Sequence, residues 1–87
     1  MKVFVFPGAR KQLKKLPKIF QILITQRLTK LSSSISSNTK KLTNYKNVYR
    51  TRVGHYRIIF EVSDEKIYVI LIGHRKEIYK LLDMFMK

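Results

Sequence analysis

Hydrophobic and polar positions divide the 87-residue chain into short alternating stretches and longer periodic ones. Lys2-Val3-Phe4-Val5-Phe6 is β-branched and aromatic and ends at Pro7-Gly8, which reads as a strand followed by a breaker. Ala9, Leu13 and Leu16 then recur at helical spacing among Arg10, Lys11, Lys14 and Lys15. That spacing predicts a short basic helix stopping before Pro17. From Pro17, which suits a first helical turn, Phe20, Ile24, Leu28 and Leu31 follow at intervals of three to four, with Ile19 and Leu23 widening the stripe. The two helices form a hairpin expected to cover one sheet face. Residues 32–39 are rich in serine, have Ile35 as their one apolar residue, lack the glycines of a phosphate loop, and read as a flexible connector. Residues 48–53, 55–62 and 66–73 are three strands joined by very short turns. A helix from about Arg75 gathers Ile78, Leu81, Leu82, Phe85 and Met86 on one face. No internal repeat is visible. The order β-α-α-β-β-β-α describes one α+β domain over residues 1–87, an antiparallel sheet of about four strands with an N-terminal helical hairpin and a C-terminal helix.

Strand register sharpens this outline. A two-residue turn at Gly54-His55, with glycine accepting the positive φ such turns need, sets Val53 opposite Tyr56. Arg52 then faces Arg57, Arg50 faces Ile59 and Tyr49 faces Phe60. Alternation sends Tyr49, Thr51, Val53, Tyr56, Ile58, Phe60 and Val62 to a core face, and Arg50, Arg52 and Arg57 together to the other. The next turn, over 63–66, pairs Val62 with Ile67 and is expected to bring Gly73 beside Tyr56. His74 and Arg75 would then emerge where Arg52 and Arg57 sit, with Tyr79 one helical turn further on. Like charges directly opposed across two strands are destabilising. The pair makes chemical sense with a phosphate between them, since guanidinium groups grip phosphate in bidentate fashion. Arg75 and Lys76, read as the first residues of the last helix, likewise suit a bound anion.

Composition strengthens the anion reading. Nineteen Lys and Arg against five acids give a net charge of +14. That exceeds the charge of about 2–8 that solubility asks for. All five acids (Glu61, Asp64, Glu65, Glu77 and Asp83) follow residue 60, whereas fourteen of the nineteen basic residues precede it. Such a field attracts nucleic acid or an acidic protein. The chain has no cysteine, which excludes a disulfide scaffold, a thiolate metal site and a cysteine nucleophile, and suits a reducing cytoplasm. No apolar run reaches the ~18–20 residues of a membrane span, and residues 1–6 read as a strand rather than an export signal. Paired carboxylates, a metal-ligand cluster and a phosphate-binding glycine loop are all missing from the pattern, so neither a metal nor a small-molecule cofactor is expected. An enzyme of this composition would act on RNA, whose own 2′-hydroxyl attacks the adjacent phosphate while the protein supplies a base, an acid and positive charge.

The run Val48-Tyr49-Arg50-Thr51-Arg52-Val53-Gly54-His55-Tyr56-Arg57-Ile58-Ile59-Phe60-Glu61, with Gly73-His74-Arg75-Lys76-Glu77-Ile78-Tyr79, resembles the RelE branch of the RelE/ParE toxin superfamily. The likeness is specific from about Lys41 to Tyr79, and residues 1–40 match in element order. The resemblance implies a RelE/ParE-like fold and a ribosome-dependent endoribonuclease cutting messenger RNA in the cytoplasm, held in check by a cognate acidic antitoxin. By position, Arg50 and Arg52 stand where relatives often carry lysine, Arg57 matches the arginine of the central strand, Arg75 the basic residue before the last helix, and Tyr79 the late tyrosine. Arginine remains protonated throughout the biological range, so Arg50 and Arg52 are not general bases. His74, His55, Lys46 and Tyr79 remain for proton transfer, with His74 favoured because imidazole exchanges protons near neutral pH and the expected register sets it beside the arginines. Arg57, Arg75, His74 and Tyr79 are thus the candidate catalytic residues, and Arg50, Arg52, Lys46 and Lys76 the candidate RNA contacts. The same superfamily leaves open a ParE-like inhibitor of DNA gyrase, and a relative that binds RNA or antitoxin without cleaving.

Overall fold

A computed structural model describes residues 1–33 and 38–87. The serine-rich connector falls largely on 34–37, outside the described residues. The chain runs β1 (Lys2–Val5), α1 (Pro7–Lys14), α2 (Lys18–Leu31), β2 (Thr39–Lys41), β3 (Val48–Val53), β4 (Tyr56–Ser63), β5 (Lys66–His74) and α3 (Ile78–Met86). The strands form one sheet in the order β1-β5-β4-β3-β2. It has five strands rather than about four, and β1 adds to the antiparallel set as a parallel edge beside β5. The extra strand is β2, three residues that pair with β3 through Lys40↔Arg50. Thr39-Lys40-Lys41 is too short and too polar to show strand periodicity.

Pro7-Gly8 opens α1 instead of separating it from the strand. Proline has the helical φ already fixed, and its missing N–H lies at a position with no intrahelical partner. Where β1 ends, Gln12 on α1 reaches the sheet and its Oε1 accepts the Ile72 N–H at 2.8 Å. The α1–α2 corner is tied by the Gln21 side-chain amide, which donates to the Leu16 carbonyl at 2.8 Å and the Lys14 carbonyl at 3.2 Å. Those carbonyls are left unpaired by the end of α1.

Two cores sit on opposite faces of the sheet. Ala9, Ile24, Leu28 and Leu31 of the helical hairpin pack on Val53, Ile58, Phe60, Ile67, Val69 and Ile72. Ile78 and Leu82 of α3 pack on Val48, Ile59, Ile70 and Leu71. Ile19 and Leu23, expected to widen the buried stripe of α2, are instead exposed at 57% and 40%, because the stripe that meets the sheet is the narrower one of Ile24, Leu28 and Leu31. Phe85 and Met86 are likewise exposed near the end of α3, beyond the part that covers the sheet.

The β3–β4 register is the expected one, with Arg52↔Arg57, Arg50↔Ile59 and Val53↔Tyr56. Gly54 takes φ 57° in the connecting turn, where an added Cβ would also meet the Phe20 ring at 3.2 Å. Across β4 and β5 the pairing begins as expected, Val62↔Ile67, and then shifts by one residue between Ile59 and Phe60. Phe60 faces Val69 but Ile59 faces Leu71, so Ile70 is the extra residue of a β-bulge. Beyond it Gly73 lies opposite Arg57 and His74 opposite Tyr56, one step from the expected register.

Among the described residues no helix is long and apolar enough to cross a membrane. Ile59 is fully buried between the sheet and α3. Truncation to alanine removes methylenes from a core with little room to collapse, so Ile59→Ala is expected to lower unfolding free energy by about 2–5 kcal/mol, measured by urea titration.

Candidate nucleic-acid interface

The face of the sheet that carries α3 is apolar beneath that helix and basic beyond it. Alternation from buried Val48 and Ile59 places Arg50, Arg52 and Arg57 on this same face, and Lys40 joins them because it pairs directly with Arg50. Three adjacent strands therefore present two like-charge pairs, Lys40↔Arg50 and Arg52↔Arg57. Lys40 escaped the sequence reading because its strand did.

Arg57 and Arg50 are half-buried, whereas Arg52 and Lys40 are exposed. The Arg57 guanidinium is the one tied to the hairpin turn. It is held below the usual arginine range, first by burial, then by the charge of Arg50 and, to a smaller degree, Arg52. The Tyr79 hydroxyl, a hydrogen-bond partner of the guanidinium, opposes that shift. Arg57 Nη1 also donates to the Gly54 carbonyl at 3.1 Å and the Tyr56 carbonyl at 3.0 Å, which holds the group against the hairpin turn. Gly73, across from Arg57, has no side chain, and an added Cβ there would meet Ile78 Cδ1 at 3.2 Å. The start of α3 thus packs close over β5, and Tyr79 is brought to Arg57.

His74 lies elsewhere. The expected register set it with the arginines, but the bulge carries it to the other face, beside Tyr56. The two rings meet edge-on with centroids 5.8 Å apart, and Tyr56 in turn meets Phe20 of α2 at 4.8 Å. His74 Nδ1 accepts the Lys76 N–H at 3.1 Å, leaving Nε2 to carry the ring proton in the neutral form. His55 stacks on His74 with centroids 6.1 Å apart, and its carbonyl accepts the Arg75 N–H at 2.8 Å. Arg75 and Lys76 stand in the turn before α3, not in its first helical turn, since the helix begins at Ile78 with Glu77 as its N-cap. Both are exposed, as is Lys46 in the β2–β3 connection.

Three side chains at the site gave no signal in the sequence. Arg27 of α2 supports β3 from the far face, its Nη1 donating to Thr51 Oγ1 at 2.9 Å and to the Arg52 carbonyl at 2.8 Å. It thereby satisfies the fully buried Thr51 hydroxyl and fixes the backbone at Arg52. Tyr45 donates its hydroxyl to Asp83 Oδ1, linking the β2–β3 connection to α3. That hydrogen bond, with burial and the carboxylate charge, raises the Tyr45 phenol above its ordinary range. Pairs separated by 24 and 38 positions leave no periodic trace. Beside them opens a cleft of about 290 Å³, lined by residues 42–45 on one side and Tyr79, Leu82 and Asp83 on the other.

Among the described residues no three His, Asp or Glu side chains come together as metal ligands would. The arrangement suits a phosphodiester: fixed positive charge on a flat strand surface, an exposed aromatic hydroxyl at its edge and an apolar cleft alongside. Opposed like charges also carry a cost when no anion is bound. Arg52→Thr is expected to raise the unfolding free energy by about 0.2–1 kcal/mol in urea titration while weakening polyanion binding.

Comparison with known proteins places this geometry in a family. The sequence family described as the ParE toxin of type II toxin–antitoxin system, parDE, matches residues 3–79. Toxin RelE3 of Methanocaldococcus jannaschii is 43% identical over 47 residues, 54% of this chain, and the match spans about half (53%) of that relative's length. Among solved structures, the RelB–RelE antitoxin–toxin complex from Methanococcus jannaschii superposes with a TM-score of 0.68 at 32% identity, covering 90% of this chain and 96% of that one. The isolated E. coli RelE toxin shares the fold alone, with a TM-score of 0.73 at 22% identity over 99% of this chain and 98% of that one. A basic strand face closed by a tyrosine on the last helix, within a matching fold and sequence family, makes this chain a RelE-like member of the ParE toxin family of type II toxin–antitoxin systems.

Proposed function

We propose that the chain is a ribosome-dependent endoribonuclease that cleaves messenger RNA in the cytoplasm without a metal ion. The observation that carries this reading is the convergence of Arg50, Arg52 and Tyr79 on half-buried Arg57. In the reaction the RNA 2′-oxygen attacks the adjacent phosphorus and the bond to the 5′-oxygen breaks. The 2′-hydroxyl gives up a proton, the leaving 5′-oxygen takes one, and a 2′,3′-cyclic phosphate forms. Arg57 and Arg75 neutralise the charge that builds on the phosphorane, a contribution that is large where the donors are fixed in advance. Arg50, Arg52, Lys40, Lys46 and Lys76 hold the backbone on either side. Tyr79 is the proton-carrying side chain beside Arg57 and serves in proton transfer. His74, on the opposite face, serves through its grip on the Lys76 N–H, which sets the turn bearing Arg75.

The solved relatives in complex are bound to antitoxins. A net charge of +14 gives this chain the same need, met by an acidic antitoxin segment that folds across the basic face or displaces α3. The match to the ParE description favours a second reading, inhibition of DNA gyrase by protein contact.

Induction of wild type and Arg57→Ala in a bacterium, with mapping of new messenger RNA 5′ ends, separates the readings. Cuts within translated regions and in codon register, reduced about 10²-fold or more by the substitution, are expected for the nuclease. Growth arrest with DNA breaks and no such cuts would overturn it in favour of gyrase.

A further inference from the structure

The arginine face accounts for the RNA backbone but not for the cleft beside it. Residues 42–45 and α3 enclose about 290 Å³ there, close to the lower end of the ~300–1,000 Å³ typical of small-ligand sites. Leu42 and Leu82 give it apolar surface, Tyr79 contributes a ring that is 42% exposed, and Thr43, Asn44 and Asp83 supply a few polar groups. Tyr79 belongs to both places: it lines the cleft and it touches Arg57. A nucleotide whose phosphate lies on Arg57 therefore has its base at the mouth of the cleft.

Asp83 is the unexpected group. It is the one carboxylate among the lining residues, in a chain of charge +14 whose neighbouring face grips anions. A carboxylate there repels phosphate, and as an acceptor it suits a ligand that presents N–H groups. The Tyr45 hydroxyl engages Oδ1 and fixes the carboxylate in place, leaving its other acceptor positions unused by that bond. Tyr45 is held in its protonated, donating form by the same contact.

We propose that this cleft seats one base of the bound RNA and that Asp83 selects bases bearing an exocyclic amino group. The proposal rests on the reading of the chain as an RNA-cleaving toxin and adds a specificity determinant to it. Amino groups of cytosine and adenine donate to a carboxylate, whereas uracil presents a carbonyl oxygen at the corresponding position and meets the carboxylate acceptor to acceptor. Apolar surface and the Tyr79 ring favour any base, so the discrimination comes from Asp83.

The test measures binding of 2′-O-methyl trinucleotides of A, C and U to the full chain by fluorescence anisotropy at fixed salt. The methyl group blocks attack by the 2′-oxygen, so binding is read without cleavage. Wild type is expected to bind the A and C oligomers about tenfold more tightly than the U oligomer. Asp83→Asn, whose amide can donate to uracil as well as accept, should erase that preference while still binding the U oligomer. Tyr45→Phe keeps the carboxylate but frees it to turn, and should reduce the preference. Arg57→Ala should weaken all three by a similar factor. Base-dependent amide shifts at residues 42–45 and 79–83 in wild-type NMR spectra provide a readout independent of any variant's folding. Equal wild-type affinities, a preference that survives Asp83→Asn, or base-dependent shifts that avoid the cleft would each overturn the base-reading role and leave the backbone reading standing. Failure of wild type to bind any of the oligomers would overturn the base-reading role too, while the nuclease reading stands or falls on the mapped messenger RNA ends.

Discussion

One inserted residue in the central antiparallel pair organises the molecule. The bulge at Ile70 turns both Ile70 and Leu71 toward α3, giving that helix an apolar bed on the face opposite the helical hairpin. It also advances the rest of β5 by one position, so that Gly73 rather than Ile72 lies across from Arg57. A bulged strand bends and re-aims the chain beyond it. In this fold the re-aimed segments are the turn bearing Arg75 and the start of α3 bearing Tyr79. Without the extra residue Ile72 would fill the place across from Arg57 and His74 would turn to the arginine face.

The two faces of the sheet have separate duties as a result. The face under the hairpin holds the larger apolar cluster and contains Phe60, Ile58 and Ile72 at almost no exposure. It is also where Arg27 reaches through to Thr51 and the Arg52 carbonyl. The opposite face keeps its apolar half under Ile78 and Leu82 and leaves the other half to cations. A rigid support on one side thus positions mutually repelling side chains on the other, the arrangement that a preorganised anion site needs.

How much of this could be read from residues alone depended on the kind of signal each element carries. The β3–β4 register was legible, because alternation of Arg50, Arg52 and Arg57 with Tyr49, Thr51, Val53 and Tyr56 and one glycine at the turn leave a single pairing. The bulge was not, since Val69-Ile70-Leu71-Ile72 is apolar throughout and an extra residue in such a run changes no pattern. That silence is why His74 was assigned to the wrong face while Arg50, Arg52 and Arg57 were assigned to the right one. β2 was hidden by its length and polarity, and its Lys40 with it. Tyr45 and Asp83 meet across the fold, so their partnership belongs to tertiary structure alone. Exposed Ile19 and Leu23 mark the reverse case, an apolar pattern wider than the surface available to cover it.

The like-charge pairs across β2, β3 and β4 have a consequence for the chain's life outside any complex. Repulsion that is relieved only when an anion arrives couples folding to occupancy, because whatever binds the folded state and not the unfolded one stabilises it by mass action. The amount of folded chain is then a function of how much polyanion surrounds it and of the ionic strength that screens the charges. A newly made copy with nothing bound is the form most open to unfolding and proteolysis, and a bound copy the most durable. Persistence in the cell is in this way written into the same side chains that would do the binding.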